Sequence, residues 1–185
     1  MIKGMQEVNE VMAKAKADLD ANGGLKQVIF VACGGSFASS YPARYLLNQE
    51  SSLRVQGYNS SEFVHATPKS VDQNTLVIGT STKATPETVQ ALQVAKDKGA
   101  VTIGLSGYAD SLTAQTARYY VTYYHADEWY QDPSLVHCNS QGTALKIAFW
   151  LLKEYDHYAY FDQAMEAFEK MRDIYGAAYA AVKPQ

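Results

Sequence analysis

The chain has 185 residues, with 16 Lys and Arg against 19 Asp and Glu, a formal charge of −3, and a hydrophobic share of 47%. That length and composition predict one globular domain with a sizeable core, and the acidic balance argues against a nucleic-acid or anionic-membrane partner. The N-terminus lacks a signal-peptide apolar region, and no apolar run approaches the ~18 residues of a membrane span. The two cysteines, Cys33 and Cys138, are too few and too far apart for a disulfide framework. Together these features predict a cytoplasmic protein.

In chain order, Ile2, Met5, Val8, Val11, Met12, Ala15 and Leu19 recur at helical spacing, and Asn22-Gly23-Gly24 ends that helix. Val28 to Ala32 is a continuous apolar run, as in a strand buried on both faces. It enters Cys33-Gly34-Gly35-Ser36 and then a helical stretch through Leu47, with Pro42 limiting the regularity of its first turns. Leu53 to Tyr58 reads as a second strand, followed by a helix start at Ser60-Ser61-Glu62-Phe63 with a capping serine. Thr75 to Gly79 is a third strand. It leads into Thr80-Ser81-Thr82-Lys83-Ala84-Thr85, where Thr85 suits an N-cap and Pro86 a first helical position. Val89, Leu92 and Ala95 line that helix, Ala100 to Leu105 is a fourth strand, Ser111 to Ala117 a short helix, and Tyr119 to Tyr123 a fifth strand.

Strands alternating with helices imply a parallel sheet covered on both faces. The predicted fold is therefore α/β, a three-layer αβα sandwich with a five-stranded parallel sheet followed by C-terminal helices. Of those helices, one is lined by Ala144, Ile147, Ala148, Leu151 and Leu152, and the other by Phe161, Met165, Phe168, Met171, Ile174 and Tyr175. Fourteen tyrosines are many for this length. Phe149, Trp150, Tyr155, Tyr158 and Tyr160 exceed what one buried face needs, and so predict a dimer interface after Asn139.

Ligands of open parallel sheets bind outside the carboxyl ends of the strands. Gly34-Gly35-Ser36 offers close backbone approach and a hydroxyl, while Thr80 to Thr85 offers four hydroxyls before a helix N-terminus. Together they describe a phosphate cradle of hydroxyls and amides to which Lys83 could add charge; ordinary helix capping is the plain alternative. The glycines lack the Gly-x-Gly-x-x-Gly spacing of a dinucleotide site, and no Gly-Lys-Ser/Thr phosphate loop is present.

Ala32-Cys33-Gly34-Gly35-Ser36, Ser61-Glu62-Phe63 and Thr80 to Thr88, taken as an ordered set, resemble the glycine-serine loop, the Ser-Glu-Phe segment and the phosphate loop of SIS (sugar isomerase) domains. The resemblance covers roughly residues 27–155. It is greatest to the first half of fructosamine-6-phosphate deglycases, relatives of the isomerase domain of glucosamine-6-phosphate synthase. It implies that Ser36, Thr80, Thr82 and Thr85 hold a phosphate, that Gly35 and Ser81 give backbone amides, and that Gly34 and Glu62 lie at the sugar pocket. Lys83 stands where the family usually has glycine, so the loop is expected to need a positive φ there.

Deglycases of this kind carry two SIS domains, with the glutamate–histidine acid/base pair mainly in the second. Residues 1–185 are therefore expected to be one SIS domain, the N-terminal half of such a protein, as the bare ending at Val182-Lys183-Pro184-Gln185 also suggests. A single-domain relative that completes its site by oligomerising is the alternative. The implied activity of the whole is phosphosugar deglycation, a hydrolase reaction, or aldose–ketose isomerisation without metal or organic cofactor. A non-catalytic sugar-phosphate sensor is the competing reading. Among residues present, Glu128 in the segment after the fifth strand is the candidate carboxylate, with a solvated loop carboxylate as its plain alternative. His125, Asp127, His137 and Cys138 are zinc-ligand types, but their spacing matches no standard motif, so no metal is predicted.

Overall fold

The structure, a computed structural model, describes residues 4–124 and 133–182. Three strands, β1 (Gln27–Ala32), β3 (Thr75–Thr80) and β4 (Val101–Ser106), are buried along their whole length. Their near-continuous apolar residues suit positions covered on both faces. The more polar β2 (Arg54–Asn59) and β5 (Tyr119–Thr122) take the edges of an all-parallel sheet of order β2-β1-β3-β4-β5.

Alternation divides the core between the two faces. Val28, Phe30, Leu76, Ile78, Ile103 and Leu105 pack with α1 (Met5–Ala21), α3 (Tyr41–Glu50) and α7 (Ser140–Asp156). Ile29, Val31 and Val77 pack on the other side with α4 (Ser60–His65) and α5 (Pro86–Asp97). The short helix α2 (Gly34–Ser39) follows β1, and α6 (Leu112–Thr116) follows β4. A 3-10 turn, Pro133–Cys138, precedes α7, and α8 (Phe161–Val182) closes the chain. Gly79 lets α5 lie close to the sheet, since a Cβ there would come within 2.7 Å of Leu92 Cγ.

The elements fall where periodicity puts them, with informative departures. The stretch after β1 is two helices broken at Ser40, because Pro42 takes the first turn of α3 and cannot continue α2. The cap of α4 is Asn59, whose side chain accepts from Ser61 N, rather than a serine. Ser60 instead turns inward and shares a hydrogen bond with Thr88 of α5 at 2.9 Å.

The aromatic surplus is also placed differently. Phe149 and Trp150 are buried in the core, Tyr155 and Tyr158 pack against it, and Tyr160 is exposed. Helix α7 is buried almost all round because α1, α3 and the 3-10 turn surround it, so its aromatics need no second chain. Among the described residues of α8, those of the first half pack on the core, through Phe168 with Met165 beside it, whereas Ile174 and Val182 are exposed. Among the described residues no helix is long and apolar enough to cross a membrane.

Candidate functional site

Strand β1 connects to β2 on one side of it, and the chain then crosses back to β3 on the other side. Helix α3 packs on one sheet face and α5 on the opposite face, so the chains leaving β1 and β3 diverge. This is the topological switch point of the sheet, where an open crevice forms at the carboxyl edge. An open cavity of about 390 Å³ lies there, lined by Ser36, Ser81, Thr82, Lys83, Ala84 and Thr85. The two loops picked out from sequence are thus brought together.

On the β1 side, Gly34 has a φ of 53° at the start of α2, a conformation that suits glycine. Gly35 has no such need, and a Cβ there would meet nothing within 4 Å. Its smallness leaves space over the crevice. Its N–H belongs to the first turn of α2, where no intrahelical acceptor exists. Ser36 follows, half-buried at the cavity wall.

On the β3 side the loop is fixed residue by residue. Ser81 is 3% exposed, and its Oγ accepts from Thr85 N at 2.9 Å and shares a hydrogen with Thr85 Oγ1 at 3.0 Å. Thr85 does occupy the N-cap of α5, but its hydroxyl pairs with Ser81 instead of capping the helix. The Thr82 carbonyl accepts from Gly107 N and from Ser106 Oγ, both at 3.1 Å. The Thr82 hydroxyl accepts from Tyr123 OH at 2.9 Å. Burial pushes the Tyr123 hydroxyl up from its ordinary range, against the lowering effect of its bond to Thr82, so it stays a donor at neutral pH.

This wiring has a chemical consequence. Thr82 already accepts from Tyr123, so its own hydrogen is left to point elsewhere. If Ser81 donates to Thr85, Thr85 is in the same position. Two hydroxyls primed as donors beside the N-terminus of α5 suit a phosphate dianion, and each relay strengthens the terminal donor.

Several sequence-based assignments change. Ser81 cannot lend its amide to a ligand, because Ser81 N donates to Leu105 O at 3.0 Å and extends the sheet ladder. Thr80 is the last residue of β3, 2% exposed, and does not line the cavity. No positive φ occurs at Lys83 or Ala84, so the loop has no need of glycine there. Glu62 is exposed on the first turn of α4 and is not part of the cavity wall. Gly34 is exposed at the edge of the crevice. Glu128 lies outside the described residues, as do His125 and Asp127. His137 and Cys138 are buried beside the start of α7, where Lys146 Nζ donates to Cys138 Sγ at 3.5 Å. Neither cysteine is in a disulfide.

Sequence reasoning missed Tyr123, read only as a strand end, and the buried Lys146. The signal for Lys146 was a single lysine inside the apolar run Ala144 to Trp150.

The SIS domain profile matches residues 25–151, which include both loops. The chain belongs to the SIS domain family. It is 34% identical over 156 residues to the fructosamine deglycase FrlB of Bacillus subtilis (strain 168), covering 83% of this chain and 46% of that protein. It is 31% identical over 109 residues to the fructoselysine 6-phosphate deglycase of Escherichia coli (strain K12), covering 58% of this chain and 30% of that one. Among solved structures, a candidate phosphosugar isomerase from Salmonella typhimurium LT2 superposes with a TM-score of 0.85 at 32% identity, over 94% of this chain and 51% of that one. A second, from Bacillus subtilis, gives 0.84 at 30%, over 98% and 54%. The chain therefore spans about half the length of these four relatives, or less.

Proposed function

We propose that this SIS domain binds the phosphate of a phosphorylated sugar and serves a fructosamine-6-phosphate deglycase or an aldose–ketose phosphosugar isomerase. The observation that carries the reading is the crevice between β1 and β3, with the Thr82 hydroxyl left as a donor by its bond from Tyr123, the Thr85 hydroxyl paired with Ser81, and Ser36 on the same cavity wall. In this reading Ser36, Thr82 and Thr85 bind the phosphate oxygens, Gly35 gives an amide, and Ser81 and Tyr123 position the two threonines. Thr80 acts only as the rigid strand end from which the loop springs. Lys83, exposed at the rim, adds positive charge near a dianion.

The acid and base that open the sugar and release an amine belong, in this proposal, to a second SIS domain. The half-length match to the Bacillus deglycase supports that division. Exposed Ile174 and Val182 on α8 fit an association surface, and the absence of a disulfide at Cys33 and Cys138 fits a reducing cytoplasm.

Calorimetry with fructose 6-phosphate and glucose 6-phosphate, against the unphosphorylated sugars, tests the cradle. Binding that requires the phosphate and is lost in the double variant Ser36→Ala/Thr85→Ala is the expected outcome. Affinity unchanged in that folded double variant would place the phosphate elsewhere.

A further inference from the structure

Lys83 stands between two hollows. It lines the cradle with Ser36, Thr82 and Thr85, and it also lines an adjoining open cavity of about 380 Å³ with Tyr108, Asp110 and Ser111. Its backbone is pinned: the Thr82 carbonyl accepts from Gly107 N and Ser106 Oγ, and the Lys83 carbonyl accepts from the Thr113 hydroxyl at 3.4 Å. Its φ is not positive, so the loop carries a long side chain there without strain. The residue is exposed, and among the described residues its ammonium makes no ion pair or hydrogen bond. A flexible four-carbon stem on a fixed backbone lets the amine sweep both hollows.

The two hollows differ in what they accept. The cradle offers hydroxyls and the start of α5, which suit a phosphate, whereas the Asp110 carboxylate at the neighbouring hollow repels one. With the phosphate of a sugar on Thr82 and Thr85, the uncharged end is the part that fits over Lys83 and into the second hollow. In the open form of an aldose phosphate that end is an aldehyde at C1. An aldehyde held beside a primary amine no longer depends on chance encounter, and the gain in rate from such proximity is large. The ammonium must first shed a proton, and a phosphate monoester, with its second pKa of about 6, is a base at neutral pH.

We propose that Lys83 is a site of covalent modification by aldose phosphates, which the cradle delivers to it as open-chain aldehydes. The inference rests on the phosphosugar reading of the cradle. Lys83 Nζ forms a bond to C1, the aldehyde oxygen leaves as water with both protons of the neutral amine, and an imine results. Proton transfer from C2 to nitrogen and from the C2 hydroxyl to C1, both through water, then gives a ketoamine. C1 is reduced as C2 is oxidised, so the step needs no external oxidant or reductant. The phosphate of the adduct stays in the cradle, and the modified domain loses its affinity for free phosphosugar.

The test is peptide mapping by mass spectrometry of the full chain after incubation with glucose 6-phosphate, read as the fraction of each lysine carrying a hexose phosphate less one water. Lys69 and Lys98 are the internal standards, exposed as Lys83 is but placed in the segments that enter β3 and β4, at the opposite edge of the sheet. Lys83 is expected to be modified about tenfold or more faster than either. Excess inorganic phosphate, or Ser36→Ala/Thr85→Ala, should bring it down to their level, and the inorganic phosphate arm needs no substitution. Fructose 6-phosphate titrated afterwards should find its sites reduced by the fraction of Lys83 modified. Glucose, which lacks the phosphate, should modify Lys83, Lys69 and Lys98 alike. Modification of Lys83 no faster than of Lys69 and Lys98, while fructose 6-phosphate binds, overturns the inference and leaves the cradle standing. A preference for Lys83 that glucose reproduces, or that inorganic phosphate leaves unchanged, also overturns it, because the cradle has then not delivered the aldehyde. Absence of both the preference and fructose 6-phosphate binding overturns the inference and the cradle together.

Discussion

Ser81 is the residue on which the cradle's geometry depends, and Ser81→Ala separates scaffolding from ligand binding. The side chain is 3% exposed and makes two hydrogen bonds, accepting from Thr85 N at 2.9 Å and pairing with Thr85 Oγ1 at 3.0 Å. Removing both, and leaving the Thr85 N–H without that acceptor, costs about 1–3 kcal/mol. For a domain of this size each kcal/mol lowers Tm by about 2–4 °C, so a fall of about 2–12 °C is expected in a calorimetric melt. Thr85→Val is the contrasting change. It keeps the Ser81 bond to Thr85 N and removes only the hydroxyl, costing about 0.5–1.5 kcal/mol of stability. Its effect on phosphosugar affinity is the larger one, since a hydrogen bond to a charged group is worth about 1.5–3 kcal/mol, or about 10- to 150-fold. Titration with fructose 6-phosphate alongside the melts gives both numbers. The reasoning fails if Ser81→Ala melts with the parent, or if Thr85→Val binds fructose 6-phosphate as the parent does.

Tyr123→Phe removes the donor to Thr82 and should weaken phosphosugar binding about 3- to 10-fold, with far-UV circular dichroism unchanged. Gly142→Ala would drive a Cβ into the carbonyl oxygen of His137 and disturb the first turn of α7, which Asn139 caps at Gly142 N, 2.8 Å away; urea melts should show a loss of about 1–3 kcal/mol or more. At Asp156, burial favours the neutral acid, but bonds accepted from the Ser51 hydroxyl and Ser52 N–H outweigh it and hold the carboxyl below its usual range. A depressed folded-state value contributes stability above the unfolded value of about 4 and loses it as pH falls through the folded one. Asp156→Asn should therefore destabilise at neutral pH, and the gap to the parent should close below about pH 4; urea melts across that range measure it.

The sheet was legible because its signal is local. Strands β1, β3 and β4 are runs whose every residue is buried, and continuous apolar character marks that environment without knowledge of neighbours. The hydroxyls of Thr80 to Thr85 were legible as a candidate cradle because Pro86 marks a helix start immediately after them. Which hydroxyl does what was not legible. Thr80 and Thr82 look alike in sequence, yet one is sealed in the strand and the other stands at the cavity with Tyr123 behind it. The expected glycine-like backbone at Lys83 also failed, because Ser106, Gly107 and Thr113 hold the loop through its carbonyls without any positive φ.

The sequence by itself determined the alternation of strands and helices, the burial of the central strands and the two loops able to meet a phosphate. Each of these is set within a few residues, by side-chain periodicity and helix-start chemistry. Only the tertiary structure decided that β1 and β3 are neighbours, that their helices diverge to opposite faces, and that Tyr123 reaches Thr82 across 41 residues of chain. The same holds for Lys146, whose helix places it under the start of α1. Such contacts depend on crossover order and on how the layers pack, and the chemistry of the site resides in those contacts.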